Sequence, residues 1–80
     1  MQKSDQVETL LDTTGLFCPE PLMLLHSTFK DIKAGDVVKV LATDPSTQRD
    51  IPKFCLFLGH ELLEQEEVGS EYQYSIRKGS

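Results

Sequence analysis

The chain has 80 residues, of which 39% are hydrophobic and 26% are charged, and its formal net charge is -5 at pH 7. This acidic balance argues against direct binding of nucleic acid, and no apolar run is long enough to predict a membrane span. A chain of this length holds one modest hydrophobic core, so we expect a disordered amino terminus at 1–6 and a single domain at 7–80. Because the first residues are polar and lack the apolar core of a secretory signal, we expect a cytoplasmic protein with reduced cysteines.

The first half of the chain predicts a strand, a helix and a second strand. Val7 to Thr13 favours extended backbone, and Gly15 then permits a tight turn. The helix is predicted from Pro19 to Lys33, followed by a left-handed cap at Gly35. A predicted core stripe occupies one side of this helix and consists of Leu22, Leu25, Phe29 and Ile32. Met23 lies roughly 150° from that stripe and should face solvent.

The middle of the chain predicts a second strand and a second helix. The strand covers Asp36 to Thr43 and should pair in parallel with the first strand through a right-handed crossover. Asp44 then has the sequence position of a helix N-cap, with proline following it. Pro52 predicts either a kink in this second helix or a restart with Asp50 as the cap. The predicted core face carries Ile51, Phe54, Cys55 and Leu58.

The last third predicts a β-hairpin and completes the fold. The strands Glu61–Val68 and Glu71–Lys78 flank Gly69-Ser70, a two-residue turn with glycine first. Polar and apolar residues alternate along the last strand, which predicts one face in contact with solvent. The order βαβαββ predicts an α+β fold, a two-layer sandwich with two helices on one face of a mixed four-stranded sheet.

Cys18 is the main candidate for a functional residue. It lies at the carboxyl end of the first strand, directly before the start of the first helix, and a helix amino terminus stabilises a thiolate. Glu20 opposes that effect by like-charge repulsion. We expect Gly15, Pro19, Glu20 and Pro21 to support the position of the sulfur, although a cysteine here could also have only a structural role.

The other cysteine and the histidines have simpler interpretations. Cys55 is expected to be a buried small hydrophobic residue, with a resolving thiol as the alternative. His26 and His60 are expected at the surface. The spacing of the cysteines and histidines does not match a metal site, and we expect neither a metal nor a cofactor.

Several residues predicted to lie outside the core flank the Cys18 loop and could form a docking patch for a partner protein. They are Met23, His26, Lys30, Asp44, Arg49, Leu56 and Phe57. The alternative is that the apolar residues are ordinary exposed side chains, and that Asp44 and Arg49 only cap and pair at the start of the second helix.

Four stretches of the chain together resemble the TusA (SirA-like) family of sulfur carriers. They are Leu11-Asp12-Thr13-x-Gly15-Leu16-x-Cys18-Pro19-x-Pro21, Asp44-Pro45-x-Thr47-x-Arg49-Asp50-Ile51-Pro52-x-Phe54-Cys55, Gly59-His60-Glu61-Leu62 and Tyr72-x-Tyr74-x-Ile76-Arg77-Lys78-Gly79. The resemblance covers most of residues 10–79 in order.

The resemblance implies a carrier that accepts sulfur from a cysteine desulfurase as a persulfide on Cys18. The carrier would pass this sulfur to an acceptor protein, typically toward 2-thiolation of the wobble uridine in tRNA. It would not turn over a substrate alone, and we expect a monomer. Sulfur delivery to molybdenum-cofactor enzymes or to sulfur oxidation remains an alternative, as does a thiol-redox protein or a regulatory binding module. A redox protein would normally carry a C-x-x-C pair, which this sequence lacks.

Overall fold

The computed structural model describes residues 8–79. In chain order these residues form β1 (Glu8–Thr13), α1 (Glu20–Asp31), β2 (Val37–Ala42), α2 (Thr47–Leu58), β3 (Glu61–Val68) and β4 (Glu71–Arg77). The four strands form one sheet in the order β1-β2-β4-β3, with β1 parallel to β2 and the other neighbours antiparallel. The predicted α+β sandwich with a mixed sheet is therefore confirmed. Val7 and the segment 1–6 lie outside the described residues.

The core lies between the two helices and one face of the sheet. Leu25 and Phe29 of α1 meet the buried side chains of α2, and both helices cover the central strands β2 and β4. From α2 and the sheet the buried cluster includes Ile51, Phe54, Cys55, Val38, Val40, Ala42, Tyr74 and Ile76. Both helices thus pack on the same side of the sheet, as the sequence pattern predicts.

The first helix is shorter than predicted at both ends. Pro19 is its N-cap rather than its first residue, and the helix ends at Asp31 because Ile32 has extended backbone. The prediction of a glycine cap is wrong: Gly35 adopts φ +94° in the following loop, outside the helix. Lys78 Nζ instead donates to the carbonyls of Phe29 and Ile32 at 2.6 and 2.7 Å, which satisfies acceptors that a helix end leaves free.

The second helix is continuous through Pro52, so the alternative in which it restarts with Asp50 as the cap is wrong. Proline removes one hydrogen bond to the carbonyl four residues earlier, that of Gln48. This carbonyl instead accepts a hydrogen bond from Gln65 Nε2 of β3 at 3.5 Å. The side chain of a neighbouring strand therefore compensates for the proline.

Two burial predictions are wrong. Leu58 is 48% exposed, because it lines a groove between the helices instead of packing on the sheet. Ser75 is buried on the face of β4 that was expected to contact solvent. It pairs with Lys39 on one side and Glu64 on the other, and long side chains beside a small one reduce its exposure.

Candidate functional site

Cys18 lies in the loop after β1, at the carboxyl end of two parallel strands. The loop begins with a turn in which the Leu16 N–H donates to the Thr13 carbonyl at 3.1 Å. Gly15 has φ +83°, a conformation that other residues rarely adopt, and its N–H donates to Thr43 Oγ1 at 2.8 Å. This hydrogen bond to Thr43, which follows β2, fixes the start of the loop. The Cys18 side chain, further along the loop, is exposed.

Asp44 connects the Cys18 loop to the start of the second helix. Its Oδ2 accepts the backbone N–H of Cys18 at 2.6 Å, and its Oδ1 accepts the N–H of Ser46 at 3.0 Å. These bonds, first that from Ser46 and then that from Cys18, lower the pKa of the Asp44 carboxyl. Asp44 was predicted to cap α2 itself, but the helix begins at Thr47, so Asp44 caps the turn that leads into it.

The carboxylate of Asp50 is the acidic group in contact with the sulfur. Cys18 Sγ donates to Asp50 Oδ2 at 3.6 Å, and Arg49 Nε donates to Asp50 Oδ1 at 3.0 Å. The hydrogen bond from Arg49 raises the pKa of its own guanidinium and holds the carboxylate in place. Asp50 was predicted to cap or pair at the start of the second helix, with a place in a polar rim beside the Cys18 loop as the alternative. Its direct contact with Cys18 depends on the approach of α2 to the loop, which sequence spacing does not give.

The amino terminus of α1 offers the sulfur fewer free N–H groups than the sequence suggests. Pro19 and Pro21 have none, and the Glu20 N–H donates to the Phe17 carbonyl at 2.9 Å. The peptide bond between Cys18 and Pro19 is cis. Of the four supporting residues predicted, Pro21 is buried, while Gly15, Pro19 and Glu20 are exposed.

The residues predicted to dock a partner separate into two surfaces beside the loop. Met23 lines a hollow of about 190 Å³ with Leu16, Glu20 and Leu24. On the other side a groove of about 360 Å³ lies between the helices, lined by Leu22, His26, Asp50, Lys53, Phe54, Phe57 and Leu58. Asp44 and Arg49 lie between these surfaces, at the loop itself. Leu56 and Lys30 are exposed on α2 and in the last turn of α1.

The prediction that both histidines lie at the surface holds for His26 but not for His60. His26 is exposed, with its ring 4.8 Å from that of Phe54. His60 is partly buried, packs 4.5 Å from the Phe29 ring, and accepts the Gly79 N–H on Nδ1 at 2.9 Å. Burial, followed by the positive charge of Lys78, lowers the pKa of His60. Its neutral ring therefore serves to hold the end of the chain.

Within residues 8–79, no group of three His, Cys, Asp or Glu side chains is arranged to hold a metal ion. Neither α1 nor α2, the helices of that described part, is long and apolar enough to cross a membrane.

Comparison with known proteins places the chain in a family. The family model described as Sulfurtransferase TusA matches residues 9–78. The protein named Sulfur carrier protein TusA from Pseudomonas paraeruginosa is 61% identical over 72 residues, covering 90% of this chain and 91% of that protein. The protein of the same name from Pseudomonas entomophila is 62% identical over 71 residues, covering 89% of each.

A solved structure supports the fold assignment. The crystal structure of a SirA-like protein from Desulfitobacterium hafniense superposes with a TM-score of 0.77 at 23% identity, covering 90% of this chain and 99% of that one. The family match extends over almost the whole described chain and includes the Cys18 loop, so the chain belongs to the TusA family.

Proposed function

We propose that this protein is a sulfur carrier that accepts persulfide sulfur on Cys18 and relays it to an acceptor protein. The donor is a cysteine desulfurase, and the acceptor pathway is 2-thiolation of the wobble uridine in tRNA. Membership of the TusA family and the names of its close relatives support the carrier role. The protein reacts at its own cysteine and releases no product alone.

The contrast between the two cysteines carries the proposal. Cys18 is exposed at the tip of a loop, whereas Cys55 is 3% exposed within the core and burial raises its pKa to about 11. A persulfide survives only where no second reactive thiol can attack it and release the sulfur. Cys55 is poorly placed and poorly ionised for such an attack, which favours a carrier over a thiol-redox protein.

The chemistry is an exchange of one sulfur atom between two cysteines. The Cys18 sulfur attacks the outer sulfur of the donor persulfide, and the bond between the two donor sulfurs breaks. The donor cysteine leaves as a thiolate and takes a proton, while Cys18 loses one and becomes Cys18–S–SH. In the second transfer the acceptor thiol attacks the outer sulfur and Cys18 becomes the leaving thiolate. Neither step needs a net oxidant or reductant.

The remaining features of the proposal concern location and partners. A persulfide and two reduced thiols suit the cytoplasm, where glutathione and thioredoxin systems keep cysteines reduced. The net charge of -5 suits contact with proteins rather than directly with RNA. We expect a monomer, because an exposed cysteine that meets two partners in turn must remain free. Met23 and Phe57, on the two surfaces beside the loop, are the proposed docking contacts.

The test is intact-mass analysis after incubation with a desulfurase, cysteine and pyridoxal phosphate. We expect the parent protein to gain one sulfur atom and Cys18→Ser to gain none while retaining its fold, because serine is compatible with the same loop. The loss of two hydrogens through a disulfide would support the redox alternative. No mass change in the parent would contradict the carrier proposal.

A further inference from the structure

The Cys18 thiol lies against the carboxylate side chain of Asp50. The S–H group points to Asp50 Oδ2 at 3.6 Å, a normal hydrogen-bond distance for the large sulfur atom. The Asp50 side chain is 17% exposed and Arg49 holds its other oxygen, so the carboxylate is positioned with one oxygen against the sulfur. A sulfur that must attack a persulfide has to lose its proton, and this carboxylate is the acceptor in contact with it.

We propose that Asp50 is the acid–base catalyst of sulfur transfer at Cys18. This inference rests on the proposed carrier function. During loading, Asp50 Oδ2 takes the thiol proton while the Cys18 sulfur bonds to the outer sulfur of the donor persulfide and the bond between the donor sulfurs breaks. During unloading, the acceptor thiol attacks the outer sulfur, the bond between the two sulfurs on Cys18 breaks, and the proton that the acceptor thiol loses passes through the same carboxylate to the departing Cys18 sulfur. Arg49 is a positioning residue, since it acts through the carboxylate.

The other charged groups near the sulfur are less suited to this role. Both oxygens of Asp44 already accept backbone N–H groups, from Cys18 and Ser46. The remaining charged or titratable side chains on the two helices beside Cys18 are Glu20, His26, Lys30 and Asp31 on α1 and Arg49, Lys53 and Cys55 on α2. Asp50 is the acid for which the structure gives a direct hydrogen bond with the reacting sulfur.

The relative basicities decide when the proton moves. A carboxylate is ordinarily a weaker base than a thiolate, so transfer of the proton from the thiol to Asp50 has to be coupled to formation of the new sulfur–sulfur bond. The proton becomes acidic only as the sulfur forms its new bond, and a positioned base then accelerates the reaction by about 100- to 10,000-fold.

The experiment measures attack of Cys18 on a sulfur–sulfur bond without any partner protein. A chromogenic aromatic disulfide reacts with the thiol to give a mixed disulfide and one coloured thiol, which is followed by stopped flow from about pH 6 to about pH 10. The proteins are the parent, Asp50→Asn, Asp50→Glu and the control Glu66→Gln on the exposed strand β3. Melting curves establish that each is folded, and Cys18→Ser supplies the background rate.

We expect Asp50→Asn to react about tenfold or more slowly than the parent near neutral pH. The defect should shrink as pH rises, because a thiol that has ionised in alkaline solution needs no base. Asp50→Glu, which keeps a carboxylate, should retain more of the rate than Asp50→Asn, and Glu66→Gln should match the parent. These results together would support the proposal. If Asp50→Asn does not fold, the rate of Asp50→Glu is compared with that of the parent instead.

Three outcomes would overturn the proposal that Asp50 is the acid–base catalyst. If Asp50→Asn reacts at the parent rate, the carboxylate has no part in the reaction. If its defect is the same at every pH, Asp50 only maintains the shape of the loop. If it reacts faster than the parent, the carboxylate suppresses the thiolate and is not a base. Failure of the carrier function would appear separately, as a parent protein that gains no sulfur from the desulfurase.

Discussion

The backbone N–H of Cys18 lies 2.6 Å from Oδ2 of Asp44, a residue 26 positions further along the chain. This bond joins the loop that carries the reactive sulfur to the turn that begins α2. The same carboxylate accepts the N–H of Ser46, so one side chain fixes both segments. The location of the sulfur therefore depends on the ionisation of Asp44.

The first prediction concerns acid. The folded-state pKa of Asp44 is lowered, so its contribution to the free energy of unfolding is complete above the ordinary carboxyl range near pH 4 and is lost as pH falls through the folded-state pKa. Asp44→Asn should be less stable than the parent at pH 7. The difference should be smaller at about pH 3, because the stabilisation by the Asp44 carboxylate declines as pH falls below the ordinary carboxyl range toward the lowered folded-state pKa. Urea unfolding at both pH values measures this, with Glu66→Gln as the control. A difference that is the same at both pH values would contradict the assignment.

The second prediction concerns the reactivity of the two cysteines. With the pKa of Cys55 raised to about 11, only about one Cys55 thiol in a thousand is ionised at pH 8, and the side chain is also buried. Cys18 should therefore react with iodoacetamide much faster than Cys55 in the folded protein. Peptide mapping by mass spectrometry after short exposures gives both rates. In denaturant the two rates should become similar, and equal rates in native buffer would argue against Cys18 as the site.

The third prediction concerns the structural role of Cys55. Replacing it with serine puts a hydroxyl group into an apolar core, which should lower the free energy of unfolding by about 1–3 kcal/mol. For a domain of this size that corresponds to a fall in Tm of roughly 4–8 °C per kcal/mol. Sulfur loading per folded molecule should be unchanged. If a folded Cys55→Ser variant fails to release its sulfur to the acceptor, Cys55 has a role in transfer, and Cys55→Ala should then show the same defect.

Periodicity and turn chemistry predict most of the fold. The hairpin turn at Gly69 and the helix end at Gly59 follow from local backbone preferences, and both have positive φ. The order of elements follows from alternating strand and helix patterns. The end of α1 was mispredicted because Lys78, distant in sequence, satisfies its last carbonyls. Interactions of this kind depend on tertiary contacts that local patterns do not contain.

In the candidate site too, local sequence patterns predict some features, while others depend on tertiary contacts. Cys18 was predicted as the reactive residue because a cysteine before Pro-Glu-Pro is a local signal, and this assignment stays a prediction. The contact of Asp50 with the sulfur was not predicted, because it arises only when α2 packs against the β1–α1 loop. The neighbouring residues Arg49 and Asp50 indicated a charged surface at the start of α2, but not its contact with Cys18. His60 was misassigned to the surface because its cluster with Phe29 and Phe54 joins three separate elements.

The last prediction concerns docking on the two surfaces beside the Cys18 loop. Met23 is 61% exposed in the hollow on one side, and Phe57 is 77% exposed at the groove on the other. A carrier that meets its partners briefly depends on a few apolar contacts, so a buried charge there should weaken binding strongly. We expect Met23→Glu and Phe57→Glu each to slow desulfurase-driven loading severalfold or more, measured by intact mass over time.

Alkylation of Cys18 by a small reagent should stay near the parent rate, because the thiol is unchanged. Glu66→Gln, on the exposed strand β3, is the control and should alter neither rate. If both variants fold and load at the parent rate, docking uses another surface, while a defect in only one would assign the donor to that side of the loop.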